Sequence, residues 1–180
     1  MSNDHPNVVI DTQVWVFVFQ HETLSVEGFD SKQPYRAILE ALEAGEFAPV
    51  FAPETLDELE YILTQSTVVA RKFNLDTDLA SRFIEAISST DIGAVMVDID
   101  RTLKVCSDED DDCFVEAAIA GKARYLVSED AHLHEDAVRA ELRKHDIRVV
   151  YPRQFRKALA ERSAHPIPMA GEPVEPVSLP

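Results

Sequence analysis

Short apolar runs recur along the chain, each followed by a stretch of helical period, and that alternation constrains the fold more than any other feature. Asn7-Val8-Val9-Ile10 reads as a short buried strand, and Phe47 to Ala52, Ala94 to Val97, Arg124 to Val127 and Ile147 to Tyr151 read as four more. Thr12 starts a helical turn after the first strand; the Val- and aromatic-rich run to Phe19 leaves its end open by period. His21 to Gln33, with Gly28 and Ser31, reads as a loop. Pro34 opens a helix through Glu43 that carries Ile38, Leu39 and Leu42 on one face, and Gly45 stops it. Pro53 opens another with an apolar stripe of Leu56, Leu59, Ile62 and Leu63. A short helix is expected around Val68 to Phe73, and Asp76 starts one that turns Leu79, Phe83, Ile84 and Ile87 inward. Three more are expected: from the acidic run Asp108 to Asp112 to near Gly121, from Asp136 to His145, and from Pro152 to Arg162. Strands separated by helices imply an α/β fold, a parallel sheet covered on both faces.

At 180 residues the chain suits one domain with a full core, expected over residues 1–162. Residues 163–180 hold five prolines and few apolar anchors, so an extended or flexible tail is expected there. No apolar run reaches the roughly 18 residues that span a bilayer. The N-terminus has an acid where a signal peptide has base, so the expectation is a cytoplasmic protein without a membrane partner. Cys106 and Cys113 match neither a zinc knuckle nor a redox pair and read as reduced thiols at a buried helix edge.

A net charge of −16 is unusual for a protein that handles nucleic acid, because phosphate normally meets a basic face. The charge is unevenly spread. Residues Arg139 to Arg162 hold eight basic and three acidic side chains, a net +5 that leaves −21 for the rest. A local basic patch and a solvated helix face explain those residues equally well.

The informative acids are picked out by position. Asp11 ends the first strand, and Asp130 follows the fourth by three residues in a Ser128-Glu129-Asp130 turn. Asp111 stands in the first turn of the helix before that strand, and Glu58 lies about one and a half turns into the helix after the second. Ligands of parallel sheets gather at the C-terminal ends of the strands, where these elements can converge. Singly, each acid has a plainer explanation: a helix cap, a dipole acid, an exposed helix residue or an Asx turn. Together they would repel one another unless cations neutralise them, and hard oxygen ligands suit Mg²⁺ or Mn²⁺. Such ions acidify water, orient it for in-line attack and neutralise a leaving oxygen. The sequence offers no glycine-rich phosphate loop and no nucleophile–histidine arrangement near these acids.

Four passages carry a resemblance: Val9-Ile10-Asp11-Thr12-Gln13-Val14, Ala52-Pro53-Glu54-Thr55-Leu56-Asp57-Glu58-Leu59, Asp108-Glu109-Asp110-Asp111-Asp112-Cys113-Phe114 and Tyr125-Leu126-Val127-Ser128-Glu129-Asp130. In this order and spacing, over roughly residues 7 to 151, the chain resembles the PIN-domain family, specifically its subgroup of toxin components of toxin–antitoxin systems. The resemblance implies a three-layer α/β/α sandwich with a central parallel sheet. It also implies Mg²⁺- or Mn²⁺-dependent endoribonuclease activity, RNA as substrate, an inhibitory antitoxin protein as partner, and often a homodimer. It matches Asp11, Glu58, Asp111 and Asp130 to the family's metal-binding acids and Ser128 to a supporting hydroxyl. Thr12 and Gln13 flank the first acid, and Asp108 matches a further acid that supports the site from outside. Three positions depart from the pattern: Gln13 replaces an Asn or Ser, Glu109 a Pro, and His132 a further Asp. His132 could ligate a transition metal or contact phosphate, although a surface role is the commoner one for such a histidine.

Two readings from other classes stand beside the nuclease. A catalytically inactive PIN-like protein-binding module is favoured by the −16 charge and by Gln13. An aspartate-based phosphotransfer enzyme also places an Asp after its first strand, but it needs further groups that are not evident here.

Overall fold

The computed structural model describes residues 5–23, 34–66 and 76–164. Five strands, β1 (Asn7–Ile10), β2 (Ala48–Phe51), β3 (Val95–Met96), β4 (Tyr125–Val127) and β5 (Arg148–Val150), form one sheet in the order β3-β2-β1-β4-β5. Every pairing is parallel. The helices are α1 (Thr12–Thr23), α2 (Pro34–Glu43), α3 (Pro53–Glu60), α4 (Thr77–Ser88), α5 (Asp112–Ala120), α6 (Asp136–Arg143) and α7 (Pro152–Ala164).

Side chains on a strand alternate between its faces, and here both faces are buried. In β1, Val8 and Ile10 join one core cluster while Val9 joins the other. In β4, Tyr125 and Val127 face the first cluster and Leu126 the second. The first core is built against α1, α2, α4 and α7 through residues such as Trp15, Ile38, Phe83 and Phe155. The second is built against α5 and α6 through Phe114, Val115, Val138 and Leu142. The architecture is therefore a parallel sheet between two helical layers, as expected.

Local chemistry sets the helix ends. Pro53 occupies the first turn of α3, where its missing N–H costs nothing, and the Thr55 hydroxyl accepts from the Ala52 N–H at 3.0 Å. Beyond Glu60 that helix widens into a π-helical turn over Tyr61–Gln65, which seats Leu63 in the core. Asp76 caps α4 by accepting from the N–H groups of Asp78 and Leu79. Gly121 ends α5 beside β2, where an added Cβ would lie 2.5 Å from Val50 Cγ1.

Several boundaries differ from the sequence reading. Helix α1 continues through Thr23, so His21 is helical rather than the start of a loop; residues 24–33 lie outside the described residues, as do the helix expected around Val68 to Phe73 and the tail from residue 165. The third strand pairs over only two residues, because Ala94 and Val97 flank the ladder at the sheet edge. Helix α6 stops at Arg143, and the chain turns back through Asp146 in a left-handed conformation (φ 60°) to enter β5.

The order of strands fixes where a site can form. From β1 the chain moves outward through β2 to β3, then returns to the other side of β1 with β4. The β1–β4 neighbours mark the switch point, and parallel sheets open a crevice there beyond the strand C-termini.

Candidate metal centre

Asp11 follows β1 directly, and its backbone N–H donates to the Val127 carbonyl of β4 at 3.0 Å. Its carboxylate is buried and held from two sides. The Ser128 hydroxyl donates to Asp11 Oδ2 at 2.6 Å, and the Gln13 backbone N–H donates to Oδ1 at 3.3 Å. The Gln13 side chain itself is exposed, so the substitution at this position leaves the support of Asp11 to the backbone. Ser128 is fully buried, and its oxygen also accepts from the Asp130 N–H at 2.8 Å. One hydroxyl thus ties the acid after β1 to the acid after β4. Asp130 Oδ1 in turn accepts from the His132 N–H at 2.8 Å.

Asp111 arrives from the opposite layer. A crossover helix runs antiparallel to the strands it joins, so the first turn of α5 lies at their C-terminal edge. The chain enters it through a 3₁₀ turn, Glu109–Asp111, capped by Asp108, which accepts from the Asp110 N–H at 3.1 Å. Asp111 Oδ2 is buried without a hydrogen-bond partner and faces His132 Nδ1 at 3.5 Å. Glu109 points away, in an exposed 3.0 Å pair with Lys104.

Electrostatics record how closely the acids approach. Burial pushes the Asp11 carboxyl above the usual carboxylate range, against the Ser128 hydroxyl and the Gln13 amide that favour its charge, and Asp130 repels it further. Glu58, one of the acids expected from α3, is an exposed residue overall, but partial desolvation of its carboxyl and then Asp11 raise it to about 7, with Asp111 and Asp110 adding to it. The Thr12 hydroxyl opposes that rise but falls short of a well-formed hydrogen bond. Asp111 is raised to about 6 by burial, Asp130, Asp108 and Asp11, and His132 offsets part of it. Asp11 is thus within electrostatic reach of Glu58, Asp111 and Asp130, and Asp111 of Glu58 and Asp130.

The tightest convergence is a subset that the sequence ranked lower. Ligand atoms of Asp108, Asp111 and His132 lie within 4.8 Å of one another. His132 Nδ1 also stands 3.7 Å from Asp130 Oδ1. Two carboxylates and an imidazole can hold a divalent ion, and the unpartnered Asp111 Oδ2 is an orphan that such an ion would satisfy. The donor set fits a divalent cation.

Two acids nearby have a different task. Asp112 Oδ1 accepts from the N–H groups of Val105 and Cys106 at 3.0 and 2.9 Å. Glu116, one turn later, accepts from those of Arg101 and Leu103 at 2.6 and 2.5 Å. Both pin the segment before the acidic run. Their spacing of four in an otherwise apolar helix was the available sign. Both cysteines are free, Cys113 buried and Cys106 partly so, and burial raises both thiols, Cys113 to about 12.

The basic segment is largely spent on internal contacts. Arg139 donates to the His134 carbonyl at 2.7 Å, and Arg148 donates to the Tyr125 hydroxyl at 2.7 Å from the other end of the sheet. Lys144 and Lys157 pair with Glu141 and Glu161.

A family model described as the PIN domain matches residues 7–132, a span that takes in β1 through the turn after β4. The chain belongs to the PIN domain family. The matched span includes Asp11, Glu58, Asp108, Asp111, Asp130 and His132, so all six side chains lie inside the PIN domain proper. No curated protein and no solved structure matches the chain. Among the described residues of this PIN domain, no helix is long and apolar enough to cross a membrane.

Proposed function

We propose that this PIN domain is a Mg²⁺- or Mn²⁺-dependent endoribonuclease that holds its metal through Asp11, Glu58, Asp111 and Asp130, with Asp108 and His132 beside them. The observation that carries the reading is the Ser128 hydroxyl joining Asp11 to Asp130, with His132 between Asp130 and Asp111 and Asp111 Oδ2 buried without a hydrogen-bond partner; the electrostatic reach of Asp11 and Asp111 to Glu58 supports the fourth acid. When bound, a divalent ion supplies charge neutralisation and acidifies water for attack on a phosphodiester. The chain's own residues supply position. Ser128 and the Gln13 backbone fix the rotamer of Asp11, and the Ser128 oxygen sets the start of the turn that presents Asp130. The resemblance to toxin components extends the proposal to the toxin of a toxin–antitoxin pair, with an antitoxin protein and a second copy of the chain as partners in the cytoplasm.

A second reading, an inactive PIN-like protein-binding module, is favoured by the −16 charge and by Gln13. Incubation with single-stranded and structured RNAs plus Mn²⁺ or Mg²⁺, beside an Asp11→Asn variant, separates the two. The nuclease reading expects cleavage that the variant loses. Metal binding without cleavage of any RNA at high protein concentration selects the module instead.

A further inference from the structure

Beside the carboxylates lies an open pocket of about 510 Å³ lined by Glu129, Tyr151, Arg153 and Gln154. Glu129 stands between Ser128 and Asp130 in the chain, so one lining residue of the pocket is a direct neighbour of the acidic cluster. Its floor is an aromatic stack. The rings of Tyr151 and His134 lie 3.8 Å apart and 10° from parallel. His134 is fixed from both nitrogens, since Nε2 meets the Ser128 carbonyl at 2.9 Å and Nδ1 meets Arg139 Nη2 at 3.0 Å. The carbonyl that anchors the stack therefore belongs to the residue whose hydroxyl holds Asp11. Tyr151 remains 37% exposed, and the surface it leaves open lines the pocket.

The polar groups around the ring are complementary in kind. Gln154 Oε1 accepts from the Tyr151 N–H at 3.0 Å, which leaves the amide NH₂ to donate. Glu129 Oε1 accepts from the Tyr35 hydroxyl at 3.0 Å, which leaves Oε2 to accept. Arg153 is exposed and makes no ion pair among the described residues. An exposed ring flanked by one acceptor, one amide donor and one guanidinium is how proteins receive an unpaired base, by stacking plus contacts to its edges.

We infer that this pocket binds one unpaired base of the RNA beside the scissile position, stacked on Tyr151, with guanine preferred. Guanine offers two adjacent N–H donors to the Glu129 carboxylate and acceptors at O6 and N7 to Gln154 and Arg153. Uracil has no exocyclic amino group and is the poorest match. The inference rests on the nuclease reading, because that reading makes single-stranded RNA the ligand. It assigns to Tyr151, Gln154 and Glu129 the choice of where the chain is cut.

The test is binding of labelled RNA pentamers by the full chain carrying Asp11→Asn with Mg²⁺ present, comparing an oligouridine that bears one central guanine with oligouridine alone. The guanine pentamer is expected to bind more tightly. Tyr151→Ala is expected to weaken it roughly 5- to 150-fold, and Tyr151→Phe to keep it. Glu129→Gln retains an acceptor for the Tyr35 hydroxyl but turns the free acceptor into a donor, so it is expected to erase the preference for guanine over uridine, whereas Gln154→Glu retains the acceptor for the Tyr151 N–H and is expected to weaken both pentamers. Unchanged affinity in Tyr151→Ala, or an unchanged preference in Glu129→Gln, overturns the pocket even if the chain carrying Asp11 cleaves RNA. A chain that neither binds nor cleaves any RNA overturns the nuclease reading and the pocket with it.

Discussion

Asp111 and Asp112 are consecutive in sequence and turn their carboxylates to opposite tasks. Each leaves its Oδ2 buried without a hydrogen-bond partner, but Asp111 faces His132, whereas Asp112 Oδ1 accepts two backbone N–H groups from Val105 and Cys106. Asp111 is the last residue of the 3₁₀ turn and Asp112 the first of α5, so one step of helix rotation separates solvent edge from core. Asp112→Ala is expected to destabilise the fold by roughly 3–6 kcal/mol, the scale of two hydrogen bonds to a charged group. Asp111→Asn is expected to leave stability unchanged or raise it while abolishing metal affinity. Denaturant midpoints and metal titrations on both variants check the division of labour; the same loss of stability in both would contradict it.

The carboxyls raised by burial and by one another give stability a definite pH dependence. Glu58 rises from 4.5 to about 7 and Asp111 from 3.8 to about 6, so each binds its proton more readily in the folded chain than in the unfolded one. Metal-free stability is therefore expected to fall as pH rises from about 4 to about 7 and to stay low above that window. Divalent metal reverses the sign of the local field, so Mn²⁺ is expected to raise the melting temperature strongly at pH 8 and little at pH 5. Glu58→Gln is expected to stabilise the metal-free protein at pH 8 and to change little at pH 5. Thermal melts at the two pH values, with and without Mn²⁺, test this directly, and a metal effect independent of pH would refute it.

Ser128 connects the acids on β1 and β4 without being an acid. Ser128→Ala removes the donor to Asp11 Oδ2 and the acceptor for the Asp130 N–H in a fully buried position. RNA cleavage is expected to drop roughly 10- to 100-fold, the usual cost of losing an outer-sphere support. Ser128→Thr keeps the hydroxyl but adds a methyl in a packed site, so partial recovery is expected. Steady-state rates with saturating Mn²⁺ make the comparison, and full activity in Ser128→Ala would rule out the positioning role.

Where α5 meets the sheet, packing is close enough to depend on one hydrogen. A Cβ on Gly121 would sit 2.5 Å from Val50 Cγ1 and 3.0 Å from the Ala117 carbonyl, and the Gly121 carbonyl accepts from Asn7 Nδ2 at 2.7 Å. Gly121→Ala is expected to cost about 1–3 kcal/mol, as overpacking does. Chemical denaturation measures it, and a neutral substitution would mean that β2 can shift.

Much of this geometry was legible from the chain alone, for reasons that differ by residue. The strands announced themselves because runs such as Val8-Val9-Ile10 are buried on both faces, and a parallel sheet then places the residues just past each strand at one edge. Asp11 and Ser128 could be located that way. The part played by His132 could not, because its contact with Asp111 is between side chains brought together by tertiary folding. Nor could Asp112 be told from Asp111 by composition; only the phase of α5 separates them. The end of α1 was hidden by its apolar length, since a helix buried on most sides loses the period that marks its face. The aromatic stack of His134 on Tyr151 joins residues 17 apart across a helix and a strand, and no local pattern encodes it.

The central claim is that the converging carboxyls hold a divalent ion, and calorimetric titration of the full chain with Mn²⁺ at pH 8 tests it most directly. Saturable binding is expected, with few protons released at pH 8, where Glu58 near 7 and Asp111 near 6 are already ionised, and with marked release when the titration is repeated at pH 6. Asp111→Asn is expected to abolish that binding, and Asp112→Asn to preserve it. No Mn²⁺ binding by the unaltered chain, or equal affinity in Asp111→Asn, would contradict the claim.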